Sequence, residues 1–276
     1  MELAVPIFSE DGKIYDFVEI RKPKTKIITR AYEFVEKNNV FTAMLELLSG
    51  CVVSVTSMEG EIIDNPVMIR KLMGNIPYVS AEAVALKIIG TLNENDVIEG
   101  VYKCPRCGER IIGGYDSVLG IDTRDRVSDL AVTCLDKQNY INEIQVVPEN
   151  PIKFFNPKTE EVLQEIESFA IRYPTINDCI IAGRGMQPGQ EIRVQMKIYI
   201  QSLLKVNGKE INKSWTATYG QLLFDELYPD DMAQIGDALQ SVGLSKTIDK
   251  TCNSCGKVWE ASINTSNFFA SGLRPM

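Results

Sequence analysis

The chain has 276 residues, 45% of them hydrophobic and 24% charged, enough apolar content for a substantial core and too much for default disorder. Its net charge of -8 is a poor match to a dedicated nucleic-acid binder. The count of histidines is 0, which excludes Ser-His-Asp and Cys-His nucleophile pairs, His-ligated catalytic zinc and two-His iron sites.

Reading from the N-terminus, Val5 to Ile20 predicts a hairpin or extended arm turning at Glu10-Asp11-Gly12. The basic run Arg21-Lys22-Pro23-Lys24-Thr25-Lys26 reads as a solvated loop. Apolar residues recur at helical spacing over Ile28, Ala31, Tyr32 and Val35, then again over Phe41, Met44, Leu45 and Leu48 after Asn38-Asn39. Asn65-Pro66 opens a short helix with Gly74 at its end, and Ser80 is placed to cap a helix reaching Leu92.

The pattern shifts near Asp96. Strands are expected over 97–103, 109–112, 130–133 and 143–147, with a loop over 113–126. Asn156-Pro157 predicts a helix through Arg172, with Val162, Ile166 and Phe169 on one face. Residues 192–206 alternate like a strand, but their length and Leu203-Leu204 favour a helix. Asn207-Gly208 predicts a tight turn. Helices are then expected over 219–227 and 229–242, the second ended by Gly243.

The expected fold class is therefore α+β, mainly helical with a small antiparallel zinc-ribbon-like insert. Four segments are expected: a helical 1–95, a β-rich 96–150, a helical 151–245, and an end piece 246–276.

Chemistry concentrates in two short arms. One reads Cys104-Pro105-Arg106-Cys107-Gly108, the other Cys252-Asn253-Ser254-Cys255-Gly256. Two residues between cysteines let both sulfurs face one ion from a tight turn, and the following glycine accepts positive φ. Together the arms supply the four thiolates of a tetrahedral structural zinc, so one Zn2+ per chain is expected on Cys104, Cys107, Cys252 and Cys255. The alternative is two separate turns with reduced cysteines. Loop closure costs only about 0.6 kcal/mol per doubling of length. Structural zinc contributes about 10–16 kcal/mol in peptides, so the long separation is no obstacle. A four-thiolate shell leaves no open position for catalysis.

Lys103, Arg106, Arg110, Lys250 and Lys257 flank the arms and either offset the charge of the thiolates or contact nucleic acid. Cys51, Cys134 and Cys179 sit in apolar segments and read as core. Gly183-Arg184-Gly185 with Pro188 is not a dinucleotide fingerprint. Glu160-Glu161 and Asp230-Asp231 fit helix starts. No catalytic set can be nominated, and no run of about 18 apolar residues or apolar leader segment is present. That predicts a chain made in the cytoplasm.

The second arm followed by Val258, Ile263 and Asn267-Phe268-Phe269, together with the internal CxxC after Ser80-Ala81-Glu82, resembles the baseplate protein family of T-even-like contractile-tailed bacteriophages. The stretch from Arg193 through Asn207-Gly208 to Asp237 resembles the same family. Val18-Glu19-Ile20-Arg21-Lys22-Pro23 is similar to the opening of phage tail-assembly chaperones. The resemblance implies a non-enzymatic hub component or assembly chaperone with tail or baseplate partners, the tape-measure protein among them. It would act in the host bacterial cytoplasm and in the virion tail. Phe268, Phe269 and Leu273 at the chain end either dock on such a partner or fold back beside Trp259. The competing reading is a zinc-ribbon adaptor for nucleic acid or the transcription machinery. An enzyme working through carboxylates is the third.

Overall fold

A computed structural model describes residues 1–37, 39–92, 97–98, 101–112, 115–116, 121–122, 125–126, 130–137, 140–155, 161–185, 189–245 and 247–262. The chain opens on the expected hairpin, β1 (Glu2–Phe8) and β2 (Ile14–Ile20), turned at Gly12. Helices α1 (Thr25–Glu36) and α2 (Val40–Cys51) come after it, the second capped by the Asn39 side chain, which accepts from the Thr42 N–H. The chain then returns as β3 (Val52–Ser57) and β4 (Ile62–Ile63), completing an antiparallel sheet of order β1-β2-β3-β4. The sequence reading missed β3, although Val52, Val53 and Val55 are β-branched and suit a half-buried strand. Asn65 caps α3 (Pro66–Gly74) as expected, accepting from two backbone N–H groups.

Helix α4 (Tyr78–Gly90) starts two residues before Ser80, so Ser80 is not its cap. Its fully buried hydroxyl instead accepts from the Val5 N–H and donates to the Val5 carbonyl, both at 2.7 Å. The side chain thus stitches α4 to β1 and satisfies two strand groups that would otherwise be buried unpaired. One hydrophobic cluster fills this region, with Ile7, Leu47, Leu48, Val55, Met73, Leu86 and Ile88 buried within it.

Short antiparallel pairs come next: β5 (Val97–Ile98), β6 (Val101–Lys103), β7 (Arg110–Ile112), β8 (Tyr115–Asp116), β9 (Ile121–Asp122), β10 (Asp125–Arg126) and β11 (Val132–Thr133). The expected strand at 143–147 is β12 (Ile144–Val146).

The helix expected over 156–172 is corrected. Residues 156–160 lie outside the described set, and the flanking chain is extended as β13 (Ile152–Phe155), β14 (Val162–Ile166) and β15 (Phe169–Ile171). Val162 is exposed while Ile166 and Phe169 are buried, so the three do not share a helical face. Glu161 accordingly starts no helix.

Thr175 and Asp178 form a capping box on α5 (Ile176–Ala182). Helix α6 (Glu191–Gln201) is followed by β16 (Leu203–Val206), so the ambiguous 192–206 stretch is helix and then strand. Asn207 and Gly208 turn it into β17 (Lys209–Glu210) with φ of 48° and 72°. Helices α7 (Lys213–Asp225) and α8 (Pro229–Gln240) and strands β18 (Gly243–Leu244), β19 (Thr247–Thr251) and β20 (Val258–Ser262) complete the described chain.

The fold is α+β, with eight helices and several small antiparallel sheets among the described residues. The expectation of a mainly helical protein is corrected, since strands are interspersed with the helices from β1 to β20 among the described residues. A second cluster, with Val146, Ile166, Phe169, Ile171, Leu223, Phe224 and Ile235, fills the later half. It lies under the sheet β12-β15-β16-β17. Strand β12 reaches across residue 150 to β15, and β11 pairs with β18, so the expected segments 96–150 and 151–245 share sheets.

Candidate metal centre

The two CxxCG arms fold alike. Lys103 pairs with Arg110 at the end of β6/β7, and Thr251 pairs with Val258 at the end of β19/β20. Within the first turn the Cys104 N–H donates to the Glu109 carbonyl (2.8 Å) and the Gly108 N–H to the Cys104 carbonyl (3.0 Å). The second repeats this, with Cys252 N–H to Lys257 carbonyl at 2.9 Å and Gly256 N–H to Cys252 carbonyl at 2.8 Å. Gly108 and Gly256 sit at φ of 76° and 68°, the left-handed conformation that glycine adopts without a Cβ clash. Each turn thereby presents two sulfurs on one side.

The arms meet although Cys107 and Cys252 are 145 positions apart. The Cys104 and Cys255 sulfurs lie 3.7 Å apart, those of Cys107 and Cys252 3.5 Å, and all four lie within 4.8 Å of one another. A tetrahedron with Zn–S bonds of about 2.3 Å has edges of about 3.8 Å. The observed separations match that edge and far exceed a disulfide bond of about 2.05 Å. The donor set thus fits a soft divalent ion, and the four cysteines are close enough to hold one. Between the arms, the Lys250 ammonium sits 4.7 Å from the centroid of the buried Tyr102 ring, a cation–π contact.

Electrostatics fit a shared charge. Burial opposes the Cys104 thiolate, but the backbone N–H groups of Cys107 and Arg106 and the thiols of Cys107 and Cys255 bring its pKa down to about 6. At Cys107 the Glu109 N–H acts to lower the pKa, yet the Cys252 thiol, burial and the thiols of Cys104 and Cys255 push it up to about 12. Cys104 ionises early and Cys107 holds its proton against it. A cation bound there would take the place of that proton.

The remaining sequence candidates resolve simply. Cys51 and Cys179 are buried core residues as expected, while Cys134 is half-buried. Arg21 of the basic run donates from Nη2 to the Gly50 carbonyl (3.1 Å), and Lys24 stands at the N-cap of α1. Asp231 closes a capping box on α8. Phe268, Phe269 and Leu273 lie outside the described residues, as does Pro188.

A second concave region escaped the sequence reading. A cavity of about 550 Å³ opens where α4, α6, α8 and β18 converge, between the two hydrophobic clusters. Its lining comes from segments scattered between residues 41 and 247, so no local motif marks it.

No family model, no curated protein and no solved structure matches this chain. Among the described residues, no helix is long and apolar enough to cross a membrane.

Proposed function

We propose that this chain is a non-enzymatic tail or baseplate assembly protein of a contractile-tailed bacteriophage, either hub component or assembly chaperone, built around one structural zinc. The observation that carries the zinc reading is the four-sulfur cluster, whose closed shell offers no position for water or substrate. The zinc makes a split ribbon of β6/β7 and β19/β20 and ties the middle of the chain to residues 247–262. In this reading Phe268, Phe269 and Leu273, which follow the second arm in the sequence, dock on a tail or baseplate partner such as the tape-measure protein. The phage assignment itself rests on the resemblance of the two cysteine arms and the Phe-Phe end.

The alternative, a zinc-ribbon adaptor for nucleic acid, draws on Lys103, Arg106, Arg110, Lys250 and Lys257 around the cluster. Glu109, Asp249 and Glu260 lie on the same arms, and zinc with four thiolates adds two further negative charges. The ribbon is then close to neutral, a weak electrostatic footprint for phosphate.

The test quantifies this chain by mass spectrometry in purified phage tails and in partner complexes from infected-cell lysate, beside elemental analysis of the pure protein. Co-purification with tail or baseplate proteins and about one zinc per chain support the reading. Zinc-loaded protein that joins no tail complex and instead gives a salt-sensitive gel shift on nucleic acid would overturn it in favour of the adaptor.

A further inference from the structure

We propose that Cys107 is an oxidative modification site, the sulfur at which a peroxide enters the four-cysteine cluster, and that Cys252 resolves it into a disulfide joining the two arms. The inference rests on the zinc reading proposed above and concerns which of the four ligands is open to attack. The cluster is not symmetric in its burial. The first cysteine of each arm is sealed, Cys104 at 2% exposure and Cys252 at 1%. The second is not, since Cys107 is exposed and Cys255 half-buried. A four-thiolate shell has no open position on the ion, so an incoming reagent meets the sulfurs themselves, and Cys107 is the one in reach.

Local charge points the same way. From Lys103 to Arg110 the first arm carries three exposed cations, Lys103, Arg106 and Arg110, against one acid, Glu109. A partly exposed thiolate in electropositive surroundings is the form in which cysteine reacts, and metal coordination keeps the sulfur deprotonated. The other three cysteines are poor competitors. Cys51 and Cys179 are buried, and burial raises the pKa of both, that of Cys51 to about 11. Cys134 is half-buried, and burial followed by the charge of Glu2 raises its pKa. All three stay mostly protonated at neutral pH.

The oxidant is hydrogen peroxide. The Cys107 thiolate attacks one peroxide oxygen. An S–O bond forms, the O–O bond breaks, hydroxide leaves, and the sulfur is oxidised to a sulfenic acid as the peroxide is reduced. The Cys252 thiolate, with its sulfur 3.5 Å away, then attacks the Cys107 sulfur. An S–S bond forms and the sulfenic oxygen leaves as a second hydroxide. Cys104 is bound into the same turn as Cys107 by the Gly108 N–H, whereas Cys252 stands on a separate hairpin that can close the gap as a unit. Two ligands are consumed, and Cys104 and Cys255 alone cannot complete a tetrahedral shell. Those two sulfurs lie 3.7 Å apart and can pair in the same way with a second peroxide. Either disulfide spans the arms, so the middle of the chain stays tied to residues 247–262 after the metal has gone.

The test starts from the full-length, zinc-loaded protein, with zinc per chain measured first. About one equivalent of hydrogen peroxide is then added, a chromophoric chelator follows zinc release, dimedone traps sulfenic acid, and mass spectrometry maps adducts and disulfides. The first dimedone adduct is expected on Cys107, followed by a Cys107–Cys252 disulfide formed in step with zinc release, at least about tenfold faster than oxidation of Cys134. In Cys252→Ser the Cys107 adduct should accumulate without a cross-arm disulfide to Cys107. If that variant fails to fold, the map of the unsubstituted protein decides alone. First oxidation at Cys104, Cys255 or Cys134, a Cys104–Cys107 disulfide as first product, or zinc retained under excess peroxide would each overturn the proposal and leave the zinc reading intact. Protein that holds no zinc before peroxide is added would overturn the zinc reading and this inference with it.

Discussion

Around α2, Ala43, Leu47, Leu48 and Cys51 are each sealed from solvent and belong to the cluster shared with the β1-β2-β3-β4 sheet and with α1, α3 and α4. Across the paired cysteine arms the picture is inverted. Of β19 and β20 only Ala261 is buried, and β6 contributes Tyr102. The first region can be held by the apolar area it removes from water. Two-stranded ribbons of this size are marginal on their own, so in the zinc reading proposed above the second is held by the bond between its sulfurs and an ion. In that reading, packing holds the chain around α2 and coordination holds the paired cysteine arms.

Removing the ion should break this comparison most forcefully. With Cys252→Ser and Cys255→Ser together, or after chelation, the arms should lose stabilisation on the order of 10 kcal/mol. Hydrogen exchange should then show β6, β7, β19 and β20 unprotected while α2 and α4 keep their protection. Equal loss across both regions would mean that the metal supports the core as well.

Leu47→Ala probes the other region. A fully buried leucine cut to alanine costs about 2–5 kcal/mol. Urea unfolding should show that loss while zinc content stays at one per chain. Zinc lost in parallel would show that the arms depend on the core for their alignment.

Between the two scales stands Asp178, near the seam of the clusters. Its carboxylate accepts from both terminal nitrogens of Arg172 (2.5 and 2.8 Å) and from the Thr175 N–H and hydroxyl (both 2.7 Å). Asp178→Ala removes a cap and one partner of a partly buried ion pair, an expected loss of about 2 kcal/mol. Asp178→Asn should recover part of it, because the amide oxygen can still cap. Equal losses in the two variants would show that charge, not capping, dominates.

These regions also differed in how plainly the sequence spoke. The arms were legible because the information is local: two residues between cysteines, glycine after, short strands on either side. That the two arms meet follows from needing four ligands. The Asn39 break, the Asn65-Pro66 start and the Asn207-Gly208 turn were equally local. Residues 156–172 misled because Val162, Ile166 and Phe169 fall at helical spacing by coincidence. The chain places Ile166 in one hairpin and Phe169 in another sheet, with Val146 and Val206 as the neighbours of Phe169 across its two ladders. Ser80 misled for a similar reason, since its hydroxyl serves β1, 75 residues away. The cavity left no trace at all, because its walls converge only after folding.

The finest test lies inside the arms. Gly108→Ala and Gly256→Ala put a Cβ on residues at φ of 76° and 68°. At Gly256 that Cβ meets nothing within 4 Å, and at Gly108 it makes an ordinary contact with Lys103 Cε at 3.7 Å. Crowding is therefore absent, and the whole cost is conformational, about 1–2 kcal/mol for an L-residue in the left-handed region. Because each turn must adopt that conformation to bring its two sulfurs together, the cost falls on ion binding rather than on the α2 core. Zinc affinity, measured by competition with a chromophoric chelator, should drop about tenfold per substitution, since about 1.4 kcal/mol is a factor of ten. Asparagine tolerates this region better than alanine, so Gly256→Asn should recover much of the affinity. Unchanged affinity in both alanine variants would show that the turns can present their sulfurs from another backbone conformation, and that the glycines serve something other than the metal.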